Sequence, residues 1–480
     1  MRFGDNLNGV NRTTNSDGTT LSRMAFQVTS LINMGVPFKS MSDKPMSILW
    51  GSEQPIRPSG YGVVTREIVK RLVERGHEVN VMGWDHNGED MKHEEGWTMV
   101  HAGIGVFGSE ELNEAGGPTV LDMNIARLKP DLFISYCELY NTPHMVRSCN
   151  QRGLPHVSYI PIDGIPFVYG WKDLIKMTHT PLWTSEFGRN QFLNFVNQFN
   201  SGGSATDEKQ DPFLDRFKHE DIPMIYHGVD INAFTPVSNE RKAQMRALMG
   251  LERWQTVFVS VGRNGNRKQQ PRLLEAFKMM LQSVDNPEQI GLILHTGDPT
   301  NSKNMGGWNL PVMVREMDLG QNVTFSDING NPVHGVGRDD MAKLFQIADC
   351  HVLATSGEGF GIPSAEAMSC GLPIILPDNS TGPELVGQNE RGLLVRNDTM
   401  ITGPTHGVKM SVVSVESLAD AMLQIVVDTD ARAKMGEAAR AFAIEQFDWE
   451  LITDKMEQVF RDAIARPHPH GNNQVVSHHE

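Results

Sequence analysis

The stretch Ser356-Gly-Glu-Gly-Phe-Gly-Ile-Pro-Ser-Ala-Glu-Ala-Met-Ser-Cys-Gly-Leu-Pro-Ile-Ile-Leu-Pro377 limits what this chain can fold into more than any other. Its glycines mark a tight turn. Pro363 suits the first position of a following helix, where a missing N–H costs nothing. Gly371 suits the helix exit, with Pro373 just beyond it. Ile374, Ile375 and Leu376 then read as a strand buried on both faces, which is the mark of a parallel sheet. Two carboxylates, Glu358 and Glu366, stand eight positions apart around the turn. Gly359 and Gly361 permit close approach of the backbone to a ligand. The free amides at the helix start make an anion site. A ligand carrying both phosphate and hydroxyl groups suits this pattern.

The rest of the chain repeats the same grammar. Strands are predicted at 47–50, 79–82, 131–136, 156–160 and 182–184, with a helix at 62–75 whose apolar face is Val63, Ile68, Val69 and Leu72 and which Gly76 ends. A second series follows, with strands at 257–261, 290–294, 322–325 and 350–353 and helices at 271–283 and 342–348. Alternation of this kind is a doubly wound parallel α/β pattern. At 480 residues the chain exceeds what one core usually serves, so two Rossmann-like domains are expected. The divisions read as an N-terminal extension at 1–45, flexible over 6–22 and helical over 23–34, a first domain at 46–235 and a second at 236–446. An amphipathic helix at 447–465 and a disordered tail at 466–480 close the chain. Residues 200–212 read as a mobile loop.

Composition excludes some classes. Hydrophobic residues at 39 % and charged residues at 21 % are globular values. A net charge of −15 argues against nucleic-acid binding, which needs a basic face. It leaves at most peripheral contact with an anionic membrane. Lys70, Arg71 and Arg75 share a predicted helix with Glu67 and Glu74 between them, and read as a solvated face. The four cysteines, Cys137, Cys149, Cys350 and Cys370, have neither metal-knuckle nor redox spacing. Cys350 and Cys370 lie in apolar segments and read as core residues. With no membrane-length apolar run and no signal pattern, a reducing, cytoplasmic setting is expected.

Further candidate residues sit in loops after strands. Ser260-Val-Gly-Arg-Asn-Gly-Asn-Arg-Lys-Gln places Arg263 and Lys268 five positions apart, so that both can converge on one diphosphate. Fixed cations stabilise a departing anion where its charge develops. Arg offers a planar fork and Lys a point charge. Pro58-Ser-Gly-Tyr-Gly62 opens the first helix, with Gly60 and Gly62 allowing tight backbone approach. In Val157-Ser-Tyr-Ile-Pro-Ile-Asp-Gly-Ile-Pro166, Asp163 is the one ionisable residue of the turn. It reads either as an Asx-type turn before Gly164 or as a site carboxylate for acceptor or sugar hydroxyls. Glu384 suits a helix start. His144, His156 and His179 read as structural or exposed.

The string around Glu358 and Glu366 resembles the signature of retaining glycosyltransferase family 4, which has the GT-B fold: two Rossmann-like domains, a cleft between them and a C-terminal helix that crosses back onto the first. The resemblance spans roughly residues 46–465 and is strongest in the second half. It implies that Glu366 binds the ribose hydroxyls of a nucleotide and that Glu358 contacts the donor sugar. It implies that the amides of Gly359, Phe360, Gly361 and Ile362 hold diphosphate and sugar, with Arg263 and Lys268 on the diphosphate. Gly60 and Gly62 would face the diphosphate and the acceptor. Arg267 has no counterpart in the family pattern. Many members carry a histidine after the 156–160 strand; here Pro161 or a neighbour stands there, which leaves Asp163 to take a site role. The family often has a Gly-Gly pair before Glu384, where this chain has Thr381-Gly382-Pro383. The loop at 326–338 is expected to border the nucleobase. The implied reaction moves a sugar from a nucleotide-sugar, a co-substrate such as a UDP- or GDP-sugar, to an acceptor hydroxyl with retained configuration and without metal or cofactor. The acceptor is a saccharide, lipid or small molecule, and a homo-oligomer is compatible with the sequence. A GT-B nucleotide-sugar epimerase and a non-catalytic sugar-nucleotide binding protein are the alternatives.

Overall fold

A computed structural model describes residues 44–467 except 104–117, 166–174, 176, 201–221, 298, 301–306, 327–335 and 403–407. The expectations for residues 1–43, for the loop at 201–212, for most of the loop at 326–338 and for the tail from 468 lie outside the described residues.

The first series runs β1 (Ser47–Ser52), α1 (Gly60–Glu74), β2 (Glu78–Gly83), β3 (Met91–Lys92), β4 (Thr98–Val100) and α2 (Val120–Leu128). It continues through β5 (Leu132–Tyr136), α3 (Pro143–Arg152), β6 (His156–Ile160), β7 (Thr180–Trp183) and α4 (Glu186–Asn200). Its seven strands lie in the order β3-β4-β2-β1-β5-β6-β7. All pairings are parallel except β3 with β4. Every residue of β5 and β6 is buried, as helices on both faces of a parallel sheet require. In α1, Ser59 caps the start by accepting from the Gly62 N–H, and Val64, Ile68, Val69 and Leu72 form the buried stripe. Val64 takes the place expected for Val63, which is half-buried.

The second series opens with α5 (Asn239–Leu248), at the expected connector, then β8 (Thr256–Val261), α6 (Gln270–Leu281), β9 (Ile290–His295), α7 (Leu310–Glu316) and β10 (Val323–Phe325). Next come α8 (Arg338–Gln346), β11 (Cys350–Val352), α9 (Ile362–Ser369), β12 (Ile374–Pro377), α10 (Gly382–Val386) and β13 (Gly392–Val395). The six strands order β10-β9-β8-β11-β12-β13, all parallel. An antiparallel hairpin, β14 (Asn397–Thr402) and β15 (Lys409–Val413), stands outside this sheet. Its chain reads as neither a buried run nor a clean alternation, and the sequence reading did not anticipate it. Helices α11 (Val415–Val427), α12 (Thr429–Gln446) and α13 (Trp449–Ala465) end the chain's described part.

Helix α13 crosses back onto the first sheet. Val229 N–H donates to the Phe447 carbonyl at 2.7 Å. Glu450 pairs with Arg71 at 2.8 Å and with Arg75 at 3.0 Å, and Phe460 meets Trp50 edge-on. The basic residues expected to form a solvated face on α1 are thus partly committed to this helix. Trp449 lies so close to Gly228 that a Cβ there would sit 2.2 Å from its ring. The two sheets and their helices form one compact unit that begins at Met46. All four cysteines are buried and free, and among the described residues no helix is long and apolar enough to cross a membrane.

Candidate functional site

The turn between β11 and α9 folds as its glycines dictate. Gly361 has φ +98° and Gly371 φ +76°, values in the left-handed region that L side chains rarely adopt. Ser364 and Ala365 N–H groups donate back to the Gly361 carbonyl at 2.9 and 3.1 Å, which starts the helix and leaves the amides before them aimed out of its end. Gly359 and Gly357 are small for another reason. A Cβ on Gly359 would meet Pro161 at 2.7 Å, and one on Gly357 would lie 1.9 Å from the Asp163 carbonyl oxygen. The turn is pressed against the loop after β6, and Thr184 Oγ1 donates to the Gly359 carbonyl at 2.8 Å. Close approach of one half of the protein to the other, rather than to a ligand alone, explains these two glycines. Phe360 points away from the cleft, into Tyr226, His227 and Phe447, so only its backbone faces the turn's concave side.

Glu358 is the electrostatic centre. Its Oε1 accepts from Lys268 Nζ and from Thr355 Oγ1 at 2.7 Å. Its Oε2 lies 3.1 Å from the Arg267 guanidinium. Burial alone would raise this carboxyl; Arg267, Lys268 and their hydrogen bonds outweigh it and hold it at about 2. Burial pulls the Lys268 ammonium the other way, below its ordinary value, against the raising pull of Glu358. Arg267 and Thr355 hold the carboxylate's charge independently of Lys268. Arg267 also reaches the Gly357 carbonyl and stands 3.9 Å from Asp163. The half-buried Asp163 carboxyl is raised from its ordinary value by burial, which exceeds the pull of Arg267.

Of the two cations expected to converge, Lys268 is in the cluster. Arg263 is exposed, and among the described residues it makes no ion pair with the cluster. Arg267 is the residue that sequence reasoning passed over. The short 3-10 turn at Asn266–Lys268 carries it beside Glu358, and nothing in the loop's composition distinguishes it from Arg263. Glu366 sits half-buried on α9, where burial pushes its carboxyl up to about 8 against the lowering influence of Arg338. Ser364, 1 % exposed, lines a small pocket together with Glu358 and Thr355, and its hydroxyl finds no partner among the described residues.

The first glycine loop reaches the same place. A Cβ on Gly60 would touch Ile362 Cδ1 at 3.3 Å, so this loop abuts the start of α9. At Gly62 a Cβ would strike the Arg57 carbonyl at 2.3 Å, so the loop's own turn requires that glycine. Tyr61, between them, donates to Glu138 Oε1 at 2.7 Å. Glu384 begins α10 as expected, yet its carboxylate reaches across to α4. It accepts from the Glu186 and Phe187 N–H groups at 2.8 and 3.3 Å and from the Tyr226 hydroxyl at 3.0 Å. His156 and His179 are fully buried among sheet residues.

Residues 249–442 match the model of the family described as glycosyl transferases group 1. This part of the chain is similar to that family. The chain is 27 % identical over 238 residues to a D-inositol 3-phosphate glycosyltransferase of Saccharomonospora viridis, covering 50 % of this chain and 49 % of that one. It is 28 % identical over 247 residues to a GDP-mannose-dependent alpha-(1-6)-phosphatidylinositol monomannoside mannosyltransferase of Mycobacterium tuberculosis, covering 50 % and 56 %. The chain thus spans about half the length of the curated relatives it matches. In fold the similarity is wider. Sucrose-phosphate synthase of Thermosynechococcus elongatus superposes with a TM-score of 0.63 at 18 % identity, over 88 % of this chain and 99 % of that one. Anabaena HepE, in complex with UDP and glucose, gives 0.62 at 18 %, over 87 % and 100 %. The fold is GT-B.

Proposed function

We propose that this protein is a metal-independent, retaining glycosyltransferase that moves a sugar from a nucleotide-sugar to an acceptor hydroxyl. The observation that carries this reading is the charge cluster of Lys268, Arg267 and Glu358 beside the amide-bearing start of α9. A diphosphate drawn to those amides would exchange into the Lys268 pairing and recruit exposed Arg263, while Glu358 turns to the donor-sugar hydroxyls. When the bond from the sugar's anomeric carbon to the phosphate oxygen breaks, the negative charge left on the diphosphate falls among fixed cations. Stabilisation of that kind is worth several kcal/mol, roughly 2.7–4 for a single donor group. The acceptor oxygen bonds the anomeric carbon on the same face, and its proton passes to the departing phosphate oxygen. Glu366 holds the ribose. Asp163, held near the cluster, would orient the acceptor or sugar hydroxyls. A cytoplasmic setting belongs to the same proposal.

The similar proteins include a GDP-mannose-dependent enzyme and a UDP complex, so both bases enter the test. Thermal shifts are measured with UDP, GDP, ADP, TDP and CDP on wild type and Glu366→Ala. One nucleotide is expected to raise the melting temperature, and Glu366→Ala to lose that rise. No shift with any nucleotide overturns the proposal. Given a donor, an inverted anomeric product by NMR rules out retention, and turnover lost to a chelator rules out metal independence.

A further inference from the structure

A cavity of about 260 Å³ opens beside the cluster, between the loop after β6 and the loop after β12. It lies next to the reacting region: Ser380, in its wall, accepts from the Glu358 N–H at 2.9 Å. Its polar lining includes the carboxylates of Asp163 and Asp378 and the amide of Gln191, and its apolar lining includes Phe187 and Met400. Carboxylates and amides accept from hydroxyls, and apolar side chains suit the C–H face of a sugar ring. The volume falls just below the ~300 Å³ at which drug-sized pockets begin, which suits one ring rather than an acyl chain.

The charges discriminate further. Two acidic residues, Asp163 and Asp378, line the cavity together with one cationic residue, Lys409. Arg267, which does not line the cavity, is engaged by Glu358 and stands by Asp163. A phosphomonoester there would put two negative charges beside two carboxylates with one cation in compensation, and like charges at close range repel.

The outer wall comes from the second half. Met400 and Lys409 are contributed by the β14–β15 hairpin. That hairpin is fixed in place: Lys409 pairs with Ile165 as an antiparallel bridge, Val408 covers Gly164 so that a Cβ there would meet it at 2.9 Å, and Ser411 N–H donates to the Ser356 carbonyl at 3.1 Å.

We infer that this cavity is the acceptor subsite, that it takes a non-phosphorylated, polyhydroxylated sugar, and that the hairpin is its specificity-determining wall. The inference rests on the glycosyltransferase reading. It is tested on the full chain with the nucleotide-sugar whose nucleotide raises the melting temperature. The probes are methyl α-glucoside, methyl α-mannoside and myo-inositol against glucose 6-phosphate, mannose 6-phosphate and inositol 1-phosphate, with transfer read by mass spectrometry. At least one neutral probe is expected to be used tenfold or more better than its phosphorylated counterpart. Asp378→Asn and Lys409→Ala, both at exposed positions, are each expected to raise that acceptor's KM at least fivefold while nucleotide affinity stays within twofold. Preference for the phosphorylated probes, use of none of the six while the nucleotide still binds, or unchanged acceptor KM in both variants overturns the inference and leaves the proposed function standing. Failure of every nucleotide to bind overturns the proposed function itself.

Discussion

Lys268 illustrates how one side chain serves both fold and chemistry. Its ammonium is paired with Glu358, and both side chains retain 12 % exposure, enough to meet a ligand. Loss of the ammonium leaves Glu358 with Arg267 and Thr355, so the folded state keeps two of three partners. Lys268→Ala is therefore expected to cost about 1–3 kcal/mol of stability but to cut turnover by roughly 10²–10³-fold, the usual effect of removing one group that stabilises developing negative charge. Denaturant melts and steady-state kinetics on the same preparation separate the two. A variant with wild-type turnover would sink the role assigned to Lys268.

At the scale of elements, α10 is docked on α4 through Glu384. The carboxylate accepts two N–H groups at the start of α4, which the helix itself cannot satisfy. Burial raises its carboxyl to about 7 despite those donors and the Tyr226 hydroxyl. Glu186 adds to the rise, and Arg391 acts on the neighbouring Tyr226. A carboxyl raised on folding contributes stability that is full below its ordinary value and is lost as pH rises through the folded one. Glu384→Gln keeps an acceptor for α4 and removes the titration. The stability difference between wild type and variant is expected to shift by up to about 3 kcal/mol between pH 4.5 and 7, in the variant's favour as pH rises. Parallel stability curves over that window would show that Glu384 does not titrate there.

Across the whole molecule, Arg338 of α8 joins the halves. It pairs with Glu67 on α1, which also holds Arg71 at 2.8 Å, and with Asp230 at 2.5 Å. It also lowers the carboxyl of Glu366. Glu67 is 4 % exposed, so removing one of its cations is costly; with Arg338 itself 37 % exposed, Arg338→Gln is expected to cost about 1–3 kcal/mol. It should also move nucleotide binding. If ionised Glu366 accepts from ribose hydroxyls, affinity rises with pH up to about 8, by at most about tenfold per pH unit. Without Arg338 that plateau moves to higher pH. Calorimetric titration of the nucleotide from pH 6 to 9 on both proteins reads the midpoint, and an identical midpoint would contradict the coupling.

The sequence by itself determined the central parallel strands of both sheets and the turn that starts α9, but not β3, β4 or β13. Buried strands are written as contiguous apolar runs and turns as glycine and proline punctuation, both local signals that survive without knowledge of neighbours. Lys268, Glu358 and Glu366 were legible for the same reason, as residue types at fixed spacing around such a turn. Only the tertiary structure put Arg267 rather than Arg263 against Glu358, because two arginines of one loop differ there in direction and not in chemistry. It alone explained Gly357 and Gly359, whose missing side chains make room for the loop after β6. It alone carried Glu384 to the start of α4, 198 positions away in the chain, and set the β14–β15 hairpin beside Asp163. Contacts made over such separations leave no period or spacing in the chain; they exist only once the two halves have packed.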